Sequence, residues 1–215
     1  MKYPLIVFDW DGTIIDSAAT IAESIREASR DMGLGVPSVE RARHVIGLGL
    51  HDALTGAVPD LPAARYPEFV ASYRKHFLAR KDSMELFEGM RDLLEKLQRK
   101  HALAIATGKS RRGLDHDLEF HRLKPLFAAS RCADETTPKP DPAMLLELMD
   151  ELNASKDTTL MIGDTSHDLE MARAAGVDAL AVTYGAHHAE GLRACGPLGC
   201  VSTVPELQAW LQTNA

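Results

Sequence analysis

Four apolar residues, Leu5 to Phe8, stand between Pro4 and Asp9. The run is too short for a helix and shows no polar alternation, so it predicts a strand buried on both faces of a parallel sheet. Beyond Asp16 the period changes. Ala18, Ile21, Ala22, Ile25, Ala28 and Met32 recur at three- and four-residue steps, the spacing of a helix with one buried stripe. Asp16 or Ser17 can cap its start, and Gly33, Gly35 and Pro37 end it. Ser38 is placed to cap a second helix that runs to Ile46 and stops at Gly47, and Gly47-Leu48-Gly49-Leu50 reads as a turn. Tyr66, Phe69, Val70, Tyr73 and Phe77 mark a further helix. Residues 16–83 carry no strand pattern. They predict an inserted helical cap over the end of the first strand, or else a bundle that thickens the core.

From Met84 onward the two periods alternate. Met90, Leu93, Leu94 and Leu97 predict an amphipathic helix, and Leu103 to Ala106 a strand ending in Thr107-Gly108-Lys109-Ser110. A helix near 111–120, a weak strand near 128–131 and a helix from Pro142 to Leu152 follow. Thr159 to Ile162 reads as a strand running into Gly163-Asp164-Thr165-Ser166-His167-Asp168, then a helix that ends at Gly176. Ala179 to Val182 is a further strand, and Pro205 to Leu211 a closing helix. Such alternation predicts an α/β fold, a doubly wound parallel sheet built from residues 1–15 and 84–215 with an all-helical cap at 16–83. No repeat or low-complexity segment interrupts it.

Composition narrows the picture only a little. Hydrophobic residues at 45% and charged residues at 26% suit a globular protein with a proper core. No apolar run approaches the roughly 18 residues a membrane span needs. The apolar stretch near the N-terminus is too short for a secretory signal, and Cys132, Cys195 and Cys200 are too few and too odd for a disulfide framework. The expected location is the cytoplasm. A net charge of -7 argues against broad nucleic-acid binding but not against a small anionic ligand at one local site.

Candidate chemistry sits where the predicted strands end. Asp9 and Asp11 flank Trp10 just past the first strand, and Gly12 lets the chain leave through a conformation closed to residues with a Cβ. Thr107-Gly108 and Gly163-Asp164, with Asp168 four residues on, occupy two more strand ends. In a parallel sheet these ends face one side, the side where open α/β sheets hold ligands. Four carboxylates gathered there repel. Two like charges ~4 Å apart cost about 4 kcal/mol at an effective dielectric near 20. A hard divalent cation with oxygen ligands, most simply Mg²⁺, relieves this and keeps waters for a phosphate. Lys139, fixed between Pro138 and Pro140 and followed by Asp141 and Pro142 as helix-start residues, is an aimed ammonium or else a solvated surface lysine. Thr107 either caps the turn after its strand or, with the Gly108 N–H, donates to a phosphoryl oxygen. Two patterns carry nothing. Gly108-Lys109-Ser110 resembles the end of a P-loop, but position 103 is Leu where that loop needs Gly. His187, His188, Cys195 and Cys200 match no standard zinc spacing.

Taken together, Asp9-x-Asp11-Gly12-Thr13, Thr107-Gly108, Lys139 and Gly163-Asp164-x-x-x-Asp168 resemble the haloacid dehalogenase superfamily, in its phosphatase branch with a helical cap after the first strand, closest to the phosphoglycolate phosphatase-like group. The resemblance covers nearly the whole chain and implies a Rossmann-like core. It implies Asp9 as the nucleophile that forms an aspartyl-phosphate, and Asp11 as the acid toward the leaving oxygen and then the base toward water. Thr107, Gly108 and Lys139 would hold the phosphoryl group. Asp9, Asp11 through its carbonyl, and Asp164 would bind Mg²⁺, with Asp168 beside them. The implied activity is Mg²⁺-dependent hydrolysis of a small phosphorylated metabolite, 2-phosphoglycolate being one candidate, by a monomer or a homodimer that binds neither nucleic acid nor membrane. A phosphomutase, a dehalogenase and a non-catalytic binding protein on the same fold are the alternatives. Trp10 departs from the family's smaller apolar residue, and Gly108 stands where relatives often carry Asn. Arg43, His44 and His51, near the glycine turn, are candidate leaving-group contacts or plain exposed helix residues.

Overall fold

The structure is a computed structural model describing residues 2–215. Its frame is a six-stranded sheet in the order β3-β2-β1-β4-β5-β6. The strands are β1 (Leu5–Phe8), β2 (Ala102–Thr107), β3 (Ala129–Cys132), β4 (Thr159–Gly163), β5 (Asp178–Val182) and β6 (Cys200–Val201). Every neighbouring pair is parallel, with Phe8 in register with Ile105 on one side and Ile162 on the other.

Side chains that alternate along a strand enter opposite layers, and both layers are apolar, which is why β1 reads as an unbroken hydrophobic run. Ile6, Phe8, Leu103 and Ile105 pack on the layer of α5 (Met90–Leu97), α6 (Arg111–Phe120) and α10 (Val204–Asn214). Leu5, Val7, Ala104 and Ala106 face α7 (Ala143–Glu151) and α8 (Ser166–Ala175), meeting Met144, Leu148 and Met171. The chain goes from β1 to β2 and β3 on one side, then returns with β4 on the other. The reversal opens a crevice at the carboxyl end of β1.

Between β1 and α5 lie α1 (Ala18–Asp31), α2 (Val39–His44), α3 (Leu50–Ala57) and α4 (Tyr66–Leu78), with no strand among them. Ile25, Ala28, Val45, Leu54 and Phe69 form a hydrophobic cluster of their own there, with α1 against α2 and α4.

Local expectations fare unevenly. Ser38 caps α2, accepting from Arg41 N, but the helix ends at His44 rather than Ile46. Ser17 stands at the N-cap of α1 without capping it, because its hydroxyl is bonded to Asp11. The expected turn over Gly47–Leu50 gives way to a helix at Leu50, and α9 (Ala189–Ala194) and β6 are elements the periodicity did not announce. Among the described residues no helix is long and apolar enough to cross a membrane.

Candidate active site

Backbone turns at the strand ends carry the polar side chains inward. After β1, Gly12 takes a φ of +87°, and a Cβ there would lie 2.2 Å from Asp164 Oδ2. Only glycine brings the loop this close to the end of β4. The next residue, Thr13, donates to Asp164 Oδ1 at 2.7 Å, while Ala186 N donates to Oδ2 at 2.6 Å. Asp164 is thereby locked before any ligand arrives. Asp168 is locked as well, since it forms the capping box of α8 with Thr165 and accepts from Thr165 N at 3.0 Å and Thr165 Oγ1 at 2.7 Å.

Lys139 resolves in favour of the aimed ammonium. It is 1% exposed, and Nζ donates to Asp9 Oδ1 at 2.6 Å and to Asp168 Oδ1 at 2.7 Å. Burial works against its charge, but Asp168 and Asp9 outweigh that and raise its pKa above the ordinary lysine value. Asp9 stays raised well above the usual carboxylate range, first by burial and then by the charges of Asp168 and Asp164, despite the ammonium beside it. Asp164 is pushed up to about 7, by burial and then by Asp168. One ammonium therefore serves three buried carboxylates.

Asp9, Asp164 and Asp168 present oxygens that all lie within 4.8 Å of one another. Asp9 Oδ2 is buried and has no hydrogen-bond partner among the described residues. The Asp11 carbonyl likewise accepts no hydrogen bond among the described residues. Unsatisfied oxygen and surplus negative charge in one place suit a hard divalent cation, so the donor set fits Mg²⁺.

The Asp11 carboxylate is turned elsewhere. It accepts from Ser17 Oγ at 2.8 Å and from Lys109 Nζ at 3.0 Å, and Lys109 also meets Asp117 Oδ2 at 3.3 Å. Behind them Trp10 Nε1 donates to Asp117 Oδ2 at 3.0 Å. Trp10 is thus buried behind the crevice and bonded to the network that holds Asp11, instead of shaping the substrate side. Gly108 does shape it. A Cβ there would lie 2.4 Å from the Gly47 carbonyl, so the turn before α3 occupies the space a larger residue would need.

Thr107 serves the local role and keeps the other open: its hydroxyl oxygen accepts from Lys109 N at 3.2 Å, leaving the O–H proton free to donate. Asp9, Asp11, Thr107, Gly108 and Lys109 line a cavity of about 530 Å³ whose opposite wall comes from α1, α3, α4 and the 45–48 turn. Lys139, Asp164 and Asp168 lie beneath it, reached through Asp9.

Sequence reasoning missed Lys109, set aside with the false P-loop, and Thr13, Ser17 and Thr165 as partners of the carboxylates. The signal for Lys109 was its place just past β2, the neighbour of β1. Arg43, His44 and His51 do not line the cavity. Arg43 donates to the carbonyls of Gly185 and Ala186, His44 stacks on His187 at 4.9 Å, and His51 meets Tyr66 edge-on at 4.9 Å.

A family profile described as haloacid dehalogenase-like hydrolase matches residues 6–182. The chain is 34% identical over 212 residues to a Dickeya dadantii protein named "Probable phosphatase IndB", covering 95% of this chain and 91% of that one. It is 33% identical over 196 residues to the phosphoglycolate phosphatase of Aliivibrio fischeri, covering 86% of each. The crystal structure of a hydrolase from Pseudomonas syringae superposes with a TM-score of 0.89 over 100% of both chains at 20% identity, a likeness of fold alone.

Proposed function

The chain belongs to the haloacid dehalogenase-like hydrolase family, and from that premise we propose that it is a Mg²⁺-dependent phosphomonoesterase acting on a small phosphorylated metabolite through an aspartyl-phosphate on Asp9. The observation that carries this reading is the orphaned Asp9 Oδ2, buried among carboxylates that outnumber their one ammonium. Helices α1 to α4 act as the cap and supply the wall that faces the ester group.

Asp9, the Asp11 carbonyl and Asp164 would hold Mg²⁺, with Asp168 orienting Lys139 from the side. When bound, the ion neutralises the carboxylates and draws charge off the phosphoryl oxygens. An Asp9 oxygen attacks phosphorus in line, and the ester P–O bond breaks as the acyl-phosphate bond forms. Asp11, held toward the cavity by Ser17 and Lys109, gives its proton to the departing oxygen. It then takes a proton from water, whose oxygen attacks phosphorus and returns Asp9 as a carboxylate with release of inorganic phosphate. Thr107 Oγ, Gly108 N and Lys139 Nζ donate to the phosphoryl oxygens throughout. Three free cysteines, with no disulfide to protect from reduction, support a cytoplasmic setting.

The test is phosphate release from p-nitrophenyl phosphate and a panel of metabolite phosphates, with Mg²⁺ and with chelator, beside Asp9→Asn. The expected result is activity abolished by chelator and reduced by roughly 10³-fold or more in the variant, as loss of a covalent nucleophile requires. Release that ignores chelator, or a variant of undiminished rate, sinks the reading.

A further inference from the structure

The cavity above Asp9 is polar toward the core and at its rim, and apolar across most of the facing side. Its core side is Asp9, Asp11, Thr107 and Lys109, whereas the facing wall is built from Ile21, Ile25, Leu48, Leu54, Tyr73 and Phe77. At about 530 Å³ it is far roomier than a two-carbon acid attached to a phosphate requires. The charged residues that line the cavity on the cap side, Arg74 and Lys81, stand at its rim. Arg74 is exposed at the edge, as is Arg112 from α6, and Lys81 is engaged with His116 at 2.9 Å.

The wall has an aromatic face with a defined orientation. Tyr73 and Phe77, one turn apart on α4, lie nearly parallel, with centroids 5.9 Å apart and planes 22° from one another. Lys109 Nζ sits 5.0 Å from the centre of the Phe77 ring, so this aromatic face begins where the Asp11 and Lys109 pair ends. The Tyr73 hydroxyl makes no hydrogen bond to any described residue, although Tyr73 lines the cavity, and burial raises its pKa so that it remains a neutral donor. An aromatic, largely apolar wall adjoining the point where the ester oxygen leaves, with one unpartnered hydroxyl in it and the cap-side cations at its rim, suits a ring better than a carboxylate or a polyol.

Resting on the phosphatase reading of this site, we propose that the alcohol of its substrate is a bulky aromatic or otherwise planar apolar group that lies along Tyr73 and Phe77, and that 2-phosphoglycolate is not the substrate. Phosphate and ring bind in separate halves of one cavity. The phosphoryl group meets Thr107, Gly108 and the site of the cation, and the ring replaces water on the α4 face. A small polar alcohol would leave that face wet and gain nothing from it.

The experiment compares esters of primary alcohols, so that intrinsic reactivity stays close while the group on the alcohol changes. Wild-type enzyme with Mg²⁺ is assayed on benzyl phosphate, glycerol 3-phosphate and 2-phosphoglycolate. The expected kcat/KM for benzyl phosphate is at least about tenfold above the other two, and Tyr73→Ala and Phe77→Ala each lower that preference by roughly three- to tenfold, mostly through KM. A preference for either polar ester, or variants that depress all three esters in proportion, overturns the proposal and leaves the phosphatase reading intact. If no ester is hydrolysed, that reading has failed by itself, and calorimetric binding of benzylphosphonate against phosphonoacetate decides the inference. Tighter benzylphosphonate supports it, and equal or weaker binding overturns it.

Discussion

Two lysines, Lys139 fully buried and Lys109 partly so, sit in the same crevice, each facing two carboxylates, and their surroundings differ in one respect. Around Lys109, the partners Asp11 and Asp117 have other donors, Ser17 Oγ for one and Trp10 Nε1 for the other. Around Lys139, a third carboxylate, Asp164, joins Asp9 and Asp168, and Asp9 keeps an oxygen with no donor at all. The first network carries at most one negative charge, and none when Asp11 holds the proton it delivers, so neutral donors and the adjoining cavity accommodate it. The second would leave two with all three carboxylates ionised, in a space where burial holds Asp9 and Asp164 back from ionising. Buried charge of that size is costly unless another cation arrives, so the Lys139 centre is built incomplete and the Lys109 centre is built closed. Incompleteness of this kind points to a binding site, whereas closure points to a scaffold that orients one side chain, here Asp11.

The harshest way to test this contrast is to remove each ammonium in turn. Lys139→Met strands three carboxylates together, and the expected loss in urea melts of the metal-free protein is about 3–5 kcal/mol, with activity down by at least roughly 10³-fold. Lys109→Met removes one partner from groups that retain others, and the expected loss is about 1–2 kcal/mol with a fall in kcat of roughly tenfold. Equal penalties for the two variants would end the distinction between an open centre and a closed one.

A gentler test uses pH. In the metal-free protein Asp164 titrates near 7 against an ordinary 3.8, because burial and then Asp168 oppose its charge. A folded-state pKa above the unfolded one means the folded form holds the proton more tightly. The stability this gives is fully present below about pH 4 and is lost as pH rises through about 7. Mg²⁺ acts in the opposite sense, favouring the ionised carboxylates. Scanning calorimetry should therefore find that saturating Mg²⁺ raises Tm by several degrees more at pH 8 than at pH 5. A Mg²⁺ effect independent of pH would mean that Asp9 and Asp164 are not where the ion binds. No such dependence is expected of Lys109→Met beyond that of the wild type, since that centre takes no cation.

How much of this contrast could be read from the chain follows from how local each feature is. Asp9, Lys139 and Asp164 were legible because each lies at a strand end or between prolines, and a parallel sheet brings strand ends together without further information. The Lys109 network was missed, because its contact with Asp11 spans 98 residues and its one mark, a place just past the strand beside β1, does not say which carboxylate the ammonium reaches. Helix α3 was hidden for a different reason. Gly49 stands at its N-cap and Gly56 inside it, so a segment with Leu50, Ala53, Leu54 and Ala57 at helical spacing carries two residues that read as a turn. Its stability comes from packing, Leu54 and Ala57 joining the cluster of Ile25 and Phe69. β6, two residues long, is shorter than any periodicity can show. The alternation of β1, β2 and β4 with their helices needed only the apolar period, which is why the architecture was clearer than the wall of the cavity.

The smallest expected effect comes from the junction between α2 and the segments that follow β4 and β5, and it checks that the pH dependence belongs to the carboxylate centre. His44 at the end of α2 stacks on His187, and the rings of His167 and His187 both reach the His44 carbonyl, at 2.9 and 3.0 Å. His187 is lowered from 6.5 to about 4, by burial and then by the charge of His167, while its Nδ1 accepts from Ser166 N. A folded value below the unfolded one means the unfolded chain takes up the proton first. The stability of this junction is therefore complete above about 6.5 and is lost as pH falls toward 4, opposite in sign to the carboxylate centre. In protein saturated with Mg²⁺ the carboxylate contribution is suppressed, and Tm should fall by a few degrees between pH 7 and pH 5. His187→Gln keeps an acceptor for Ser166 N without the titrating ring, so it should flatten that slope while leaving the Mg²⁺ gain at pH 8 in place. A variant that abolished the gain at pH 8 instead would move the cation's influence out of the carboxylate centre and into the junction, and the contrast between the two lysines would lose its meaning.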